Sequence, residues 1–348
     1  MLITFLDNGQ KFNGSTIFNR ALGASEKSLI LLTEALTSIG HVVRVFNNCE
    51  NSKVINQVSW NPIKNIEVAH SDVWIILNDS KLLDLCKGNN KKFLWLTSSG
   101  FLLAKPEYFK ETITHKPVLI YQGESHINTI PDGLKFLDAI MIPFGVHNGY
   151  IKSIELNTSV TPKALVTTHP LMGLDWLIKI WVDIIHVKLP WAELHIYSNT
   201  MFNGLNGKIV TEKYKNIFDM IKDNLKYNIH IKQPRIDSEF IEEIRDARVH
   251  LYPSHKFEIS ALTLQETQAM GIPAVIRPLG AAIEKIHNGK TGFVGNDDNS
   301  FAEYAIRFLS DLSYFKRTSV AAKEMQINNS WDKIAIKFED AFKTGFSE

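Results

Sequence analysis

The chain has 348 residues, 45% of them hydrophobic and 22% charged, with a formal net charge of +1. That length suits about two domains and the composition is that of a globular protein. The balanced charge gives no overall electrostatic case for a nucleic-acid or membrane partner, which leaves local basic patches and peripheral membrane contact open. Two cysteines, Cys49 and Cys86, are too few for a disulfide framework and read as reduced, partly buried thiols. The opening MLITFLDNGQ has no basic segment and no long apolar core. No uncharged apolar stretch reaches the ~18 residues of a membrane span, so the expectation is a cytoplasmic protein, if any membrane contact then peripheral at the inner face.

Taken in chain order, short apolar runs alternate with amphipathic segments of helix length. Leu2 to Leu6 reads as a strand, Ser25 to Ile39 as a helix with Leu29, Leu32, Leu36 and Ile39 on one face and Gly40 as its stop, and Val42 to Phe46 as the next strand. Further strands are expected at Val73 to Leu77, Phe93 to Leu96, Val118 to Tyr121 and Ala139 to Ile142. They are apolar throughout, as when helices cover both faces of a parallel sheet. A polar stretch from His147 to Pro162 reads as an interdomain linker. The alternation then restarts: strand Lys163 to Thr167, helix Leu174 to His186, strand Glu193 to Tyr197, helix Thr211 to Asn224, strand Asn228 to Ile231, helix Asp237 to Asp246, strand Val249 to Tyr252. Ala261 to Met270 reads as a helix ended by Gly271, Pro273 to Ile276 as a strand, and three helices (Phe301 to Leu312, Tyr314 to Met325, Trp331 to Phe342) close the chain. The expected architecture is α/β, two Rossmann-like β/α/β domains facing a central cleft: residues 1–150, residues 151–328, and a terminal segment 329–348. Ligands of open parallel sheets bind at the carboxyl ends of the strands.

Several chemistries lack their motifs. There is no GxxxxGK[ST] loop, no GxGxxG after the first strand, no HExxH, CxxC or GxSxG, and no Asp-x-Asp pair. Hydride transfer and metal-assisted hydrolysis lose ground, and neither a metal nor a resident cofactor is expected.

The run LYPSHKFEISALTLQETQAMGIPAVIRPLGAAIEKIHNGKTGFV, from Leu251, carries the most chemistry. A strand ends at Tyr252, a loop bears Lys256 and Glu258, and a helix is expected to begin near Ser260. The unpaired N–H groups of its first turn, around Ser260, Ala261, Leu262 and Thr263, suit a diphosphate. Glu266 lies about a turn further on, and a carboxylate can take both hydroxyl hydrogens of a ribose diol. The plainer reading is equally open: Thr263-x-x-Glu266 matches a capping box, and Glu258 can be a solvated loop charge. A small-residue turn, Leu279-Gly280-Ala281-Ala282, allows a close backbone approach to a ligand.

The whole segment resembles the retaining glycosyltransferases of family 4, whose signature is Glu-x7-Glu, here Glu258 and Glu266. Pro253-Ser254, Ala269-Met270-Gly271-Ile272-Pro273, Gly280, Glu284, Gly289 and Thr291-Gly292 fit the surrounding pattern. Elsewhere Leu22-Gly23-Ala24-Ser25-Glu26 looks like the family's first glycine loop, Thr167 to Asp175 like the first loop of its donor domain, and Ser330-Trp331 with the last helix like the segment that crosses back to the N-terminal domain. The resemblance implies a GT-B fold with an acceptor side in residues 1–150 and a donor side in 151–328. It also implies a nucleotide-diphosphate sugar as co-substrate, retention at the anomeric carbon and no obligatory metal. Glu258 is then the catalytic candidate at the donor sugar. Glu266, Gly23, His169, Lys256, Ser260, Ala261, Leu262 and Gly280 form the donor site.

The chain departs from that pattern in places. The donor-domain first loop normally carries two cations that neutralise the diphosphate. Thr168 or His169, and Met172, stand there instead, and His169, Lys256, Arg277 or Lys285 are the candidates to supply the charge. The second glycine of the first loop is Ala24. Thr97 and Ser98 stand where relatives carry a histidine near the acceptor, a role that His126 is a candidate to fill. The expected activity is sugar transfer from a nucleotide sugar to a hydroxyl of a saccharide or glycolipid, with cell-surface polysaccharide as the analogy. Two alternatives stand beside it: a catalytically inactive GT-B-like ligand-binding protein, and a sugar epimerase of the same architecture.

Overall fold

A computed structural model describes residues 1–66, 70–88, 90–153, 156 and 161–344. The chain divides into two compact units, 1–145 with 329–348, and 146–328.

The first unit begins β1 (Leu2–Leu6), α1 (Ala24–Ser38), β2 (Val42–Asn47), β3 (Lys53–Ile55), β4 (Val58–Pro62) and β5 (Val73–Leu77). It continues β6 (Lys91–Trp95), α2 (Pro106–His115), β7 (Val118–Tyr121), α3 (Glu124–Ile127) and β8 (Ala139–Met141). Its sheet runs β3-β4-β2-β1-β5-β6-β7-β8 and is parallel except for β3. Every residue of β5 is buried, which explains its unbroken apolar run. The β3–β4 hairpin has no counterpart among the expected elements. Asn56 and Gln57 at its turn both have positive φ (47° and 65°), as a two-residue primed turn requires. Gln57 stands where glycine usually signals such a turn, which hid it. Cys49 and Cys86 are both buried.

The second unit runs α4 (Asn148–Ile151), β9 (Lys163–Val166), α5 (Leu174–Ile180), α6 (His186–Lys188), β10 (Glu193–Tyr197), α7 (Asn199–Leu205) and α8 (Glu212–Asn224). Then come β11 (Ile229–Lys232), α9 (Asp237–Glu243), β12 (Ala247–Tyr252), α10 (Leu262–Ala269), β13 (Ala274–Ile276), β14 (Gly292–Val294), α11 (Asp298–Ser310) and α12 (Leu312–Gln326). The sheet order is β11-β10-β9-β12-β13-β14, all parallel. The single helix expected from Leu174 to His186 is interrupted by a π turn over Trp181–Ile185. There Trp181 is fully buried and gives its indole N–H to the Tyr227 carbonyl at 2.8 Å.

The expected linker, 147–162, is not one along its described first part. Within it Tyr150 is 1% exposed and joins Phe240, Ile241 and Met270 in the core of the second unit, with Ile151 packed against that cluster. Residues 154, 155 and 157–160 lie outside those described.

The last helix, α13 (Trp331–Lys343), belongs to the first unit. Its buried Trp331, Ile334, Ala335, Phe338 and Phe342 recur at helical spacing. Phe338 meets Trp95 and Phe342 meets Phe93 edge-on, each at 5.3 Å between centroids. The Lys91 ammonium donates to the Phe342 carbonyl at 2.6 Å, a cation at the negative end of the helix.

Each sheet changes direction once. In the first unit the chain moves outward from β1 through β2 and β4, then returns to β5 on the other side of β1. In the second it moves from β9 to β10 and β11, then returns to β12 on the other side of β9. At such a point the two flanking loops leave in opposite directions, and their divergence opens a crevice at the carboxyl ends of the strands.

Candidate functional site

The switch point of the second unit brings together the loop after β9, residues 167–173, and the loop after β12, residues 253–261. These are the two segments that carry the sequence motifs. Gly173 (φ +84°) starts α5, and a Cβ there would lie 3.1 Å from the Pro253 Cβ, so glycine permits both the turn and the close approach of the two loops.

A buried hydrogen-bond chain fixes the start of α10. Thr267 gives its hydroxyl to the Leu264 carbonyl (3.2 Å), so it accepts from His250 Nδ1 (2.9 Å). His250 Nε2 is then an acceptor and takes the Thr167 hydroxyl (3.0 Å), which leaves Thr167 Oγ1 to accept from Thr263 (2.7 Å). His250 is fully buried, and burial pushes its pKa down to about 3, so the neutral imidazole that this chain requires is the form present. The capping box is therefore not made. Thr263 spends its hydroxyl on the end of β9, and the residue before the helix, Ala261, is left-handed (φ 46°, ψ 46°) with no side-chain cap. His250, Thr167 and Thr267 were not singled out in the sequence. Their signal was a polar residue inside an apolar strand together with threonines four apart on one helix face.

Glu258 is partly buried, and both its oxygens are engaged. Oε2 accepts from the Tyr252 hydroxyl at 2.9 Å and Oε1 from the Ala261 N–H at 3.3 Å. Burial raises its pKa, and these two hydrogen bonds oppose the rise. This corrects two expectations. The helix begins at Leu262 rather than near Ser260, and the Ala261 N–H goes to Glu258 instead of remaining open for a diphosphate. The first helical N–H groups, at Leu262 and Thr263, still lack intrahelical partners. Ser260 and Leu262 are buried, at 8% and 4% exposed. The loop is strained at both ends, since Ser254 (φ 55°) and Ala261 are left-handed without being glycine, at about 1–3 kcal/mol each.

Gly280 lies against this same loop. A Cβ on it would meet the His255 carbonyl oxygen at 2.3 Å and the Glu258 carbonyl oxygen at 2.9 Å, and the Ala281 N–H donates to Glu258 O at 3.0 Å. The small-residue turn therefore holds the Glu258 loop by its backbone. Glu266 is 1% exposed on the second turn of α10, where its charge acts on the buried Tyr150.

The candidate cations separate clearly. His169 hydrogen-bonds the Tyr214 hydroxyl (3.1 Å) and the Leu171 N–H (3.2 Å). Burial and the neighbouring Lys213 lower its pKa, so it carries no positive charge at neutral pH. Lys285 is 6% exposed, and burial lowers its pKa as well. Lys256 is exposed, 4.8 Å above the ring of its own neighbour Phe257. Arg277 differs from all three. It follows β13, its guanidinium lies 4.5 Å over the Trp176 ring, and Nη1 is 3.7 Å from where a Gly173 Cβ would sit. Arg277 thus brings a guanidinium to the residue after Met172 from a strand about a hundred residues later in the chain. Trp176 is held in turn by Asp298, which takes its indole N–H at 2.9 Å.

The residues expected on an acceptor side, Thr97, Ser98 and His126, also meet. Asn78 Oδ1 accepts from the Thr97 N–H (2.8 Å) and the Ser98 N–H (3.0 Å), and Asn78 Nδ2 donates to the Thr97 hydroxyl (2.7 Å). His126 is 0% exposed and uses both ring nitrogens on the backbone. Nδ1 accepts from the Gln122 N–H (3.0 Å) and Nε2 donates to the Ser98 carbonyl (3.0 Å). It shapes the Ser98 turn and offers no free nitrogen to an acceptor. Gly23 precedes α1, and a Cβ there would fall 2.6 Å from Glu26 Oε2.

Among the described residues, two groups have metal-ligand spacing, Glu193–His195–His230 and Asp84–Glu111–His115, and neither includes a residue of these loops. No helix of the described residues is long and apolar enough to cross a membrane.

Residues 164–311 match the family described as glycosyl transferases group 1. That is less than half of the chain and falls wholly within the second unit. No curated protein matches the chain. Among solved structures it is similar to a sucrose-phosphate synthase from Thermosynechococcus elongatus (TM-score 0.74, 13% identity, 98% of each chain covered). It is also similar to WaaG, a glycosyltransferase involved in lipopolysaccharide biosynthesis (TM-score 0.67, 12% identity, 99% of this chain and 100% of that one). A third is the E. coli trehalose-6-phosphate structure bound with UDP-2-fluoro glucose (TM-score 0.69, 13% identity, 99% and 100%). The chain has the α/β fold of these GT-B glycosyltransferases, with two Rossmann-like units, and the match to the group 1 family lies in the second of them.

Proposed function

We propose that this chain moves a sugar from a nucleotide-diphosphate sugar to a hydroxyl acceptor, with retention at the anomeric carbon and without a metal. The single observation that carries the reading is the arrangement at the switch point of the second unit. There Arg277 stands beside the start of α5 at Gly173, and the Glu258 loop leads into the start of α10.

In this reading the leaving diphosphate lies between the two helix starts. Arg277 and the N–H groups at Leu262 and Thr263 stabilise the charge that develops on it. Trp176 holds the guanidinium in place. Glu266 takes the donor ribose, which a carboxylate on α10 suits once the buried side chain is reached by the ligand. Glu258 keeps the strained loop in shape through Tyr252 and Ala261 and faces the transferred sugar. The buried Thr–His–Thr chain makes the site rigid before the donor arrives, so little ordering is left to binding. Saccharides or glycolipids of the cell envelope are the acceptor class, by analogy with the lipopolysaccharide enzyme among the structural relatives.

The test is a melting-temperature screen with UDP-, GDP- and ADP-sugars, since a ligand that binds the folded chain raises its melting point. Release of nucleoside diphosphate is then measured with the donor that binds. Glu266→Ala and Arg277→Ala are expected to remove the shift, and Glu258→Ala to lower turnover more than binding. Wild-type-like transfer in all three variants sinks the assignment. Donor binding with no turnover under any acceptor leaves a ligand-binding protein.

A further inference from the structure

The first unit has its own switch point, at the carboxyl ends of β1 and β5, and a cavity of ≈ 170 Å³ opens there. Phe12 and Leu77 give it apolar walls, and Asp7, Gln10, Glu26 and Asn78 give it polar ones. Asn78 already spends its amide on Thr97 and Ser98. Asp7 is different. It is only 7% exposed and lines the cavity. Its Oδ1 takes the Gly9 N–H at 3.1 Å, and no other described residue donates to the carboxylate. The charges that act on it are Glu26 and Asp79, both carboxylates, and no cation is among them. Burial, with these two carboxylates, pushes Asp7 up to about 6. At neutral pH it is therefore mostly ionised, and a positive group brought into the cavity relieves the unfavourable charge.

We propose that this cavity binds a protonated amine, held between Asp7 and Glu26 with the carbon frame of the ligand against Phe12 and Leu77. This rests on the transferase reading for one step: the amine then belongs to the acceptor, an amino sugar or a similar amine-bearing polyol. The Thr97–Ser98 turn, whose hydroxyls both hydrogen-bond Asn78, fixes the Asn78 side of the cavity. Two carboxylates at one wall also select against phosphorylated acceptors.

Saturation-transfer NMR on the full chain near neutral pH, with glucosamine, glucose and glucose-6-phosphate as separate probes, tests this directly. Glucosamine is expected to bind roughly tenfold or more tighter than glucose, the worth of a charge-assisted hydrogen bond. Glucose-6-phosphate is expected not to bind. Asp7→Asn and Glu26→Gln, each checked for an intact melting transition, are expected to bring glucosamine down to the level of glucose. Equal binding of glucosamine and glucose overturns the proposal, as does glucosamine binding unchanged in both variants. Binding of magnesium ion at this cavity in competition with glucosamine overturns it in favour of a metal site. The nucleotide-sugar melting shift is measured on the same samples. If it is absent while glucosamine still binds, the transferase reading fails and the amine site stands.

Discussion

The two sheets reverse their strand order in the same way but differ in the charge at the point of reversal: carboxylates in the first unit, an arginine together with the Glu258 carboxylate in the second. In the first unit the crevice holds Asp7 and Glu26, with Asp79 near and no cation acting on Asp7. In the second it holds Arg277 beside Gly173, the Glu258 carboxylate and the starts of α5 and α10, neither with a side-chain cap. Backbone topology creates a crevice in both, because diverging loops must leave space at the carboxyl ends of the strands. Topology does not choose the ligand. A handful of side chains sets the sign of the potential, and that sign separates a place for a diphosphate from a place for a cation or a polyol.

The comparison is broken or sharpened by substitutions at each crevice. The largest effect is expected at the basic one. If the proposed donor site holds, Arg277→Ala removes charge-assisted contacts to the diphosphate and is expected to weaken nucleotide-sugar binding roughly 10- to 100-fold. Asp7→Asn is expected to leave it within about twofold, since a change in the acidic crevice removes no diphosphate contact. Calorimetry on both variants decides whether the two crevices are independent.

The next effect is on stability. Asp7 has its pKa raised from 3.8 to about 6, so its ionised form is less favourable in the folded chain than in the unfolded one. The stability it contributes is fully present below 3.8 and is lost as pH rises through about 6. Asp7→Asn is therefore expected to stabilise the chain well above that pH, by up to about 3 kcal/mol, and to change little in acid. Urea titrations at the two extremes check the sign. A variant that is less stable at high pH would show that Asp7 already has a favourable partner.

Smaller effects follow from the packing of the loops after β9, β12 and β13. Gly280→Ala puts a methyl 2.3 Å from the His255 carbonyl oxygen at a positive φ, and is expected to destabilise by about 1–3 kcal/mol while displacing the Glu258 loop. Its melting curve and its turnover should fall together. Thr167→Val removes the hydroxyl between Thr263 and His250 and is expected to destabilise by about 1–2 kcal/mol. If donor affinity also falls, the hydrogen-bond chain pre-organises α10. If it does not, that chain serves stability alone.

Much of the framework was legible from residues alone. Leu2–Leu6, Val73–Leu77, Val118–Tyr121 and Glu193–Tyr197 are strands with the expected bounds, because parallel strands covered on both faces leave short, mostly apolar runs. Helices such as Glu212–Asn224 and Trp331–Lys343 show their period through one buried face. The Glu258 and Glu266 spacing was visible too, as were the departures at Thr168, His169 and Met172. Local patterning was less informative for the β3–β4 hairpin, whose primed turn lacks glycine, and for residues 146–151, whose polar sequence conceals a buried Tyr150.

What only the tertiary structure decided is which distant groups share a site. Sequence spacing cannot tell a cap from a ligand contact. The Ala261 N–H goes to Glu258, Thr263 goes to Thr167, and Gly280 serves a backbone approach. Four residues were candidates for the missing charge, and they differ only in burial and direction. His169 and Lys285 have their positive form disfavoured by burial, Lys256 lies over its own neighbour, and Arg277 arrives from another strand. Asp7 drew no notice in the sequence at all. A carboxylate acquires its chemistry from what surrounds it, and its surroundings are set by strand order in the folded sheet.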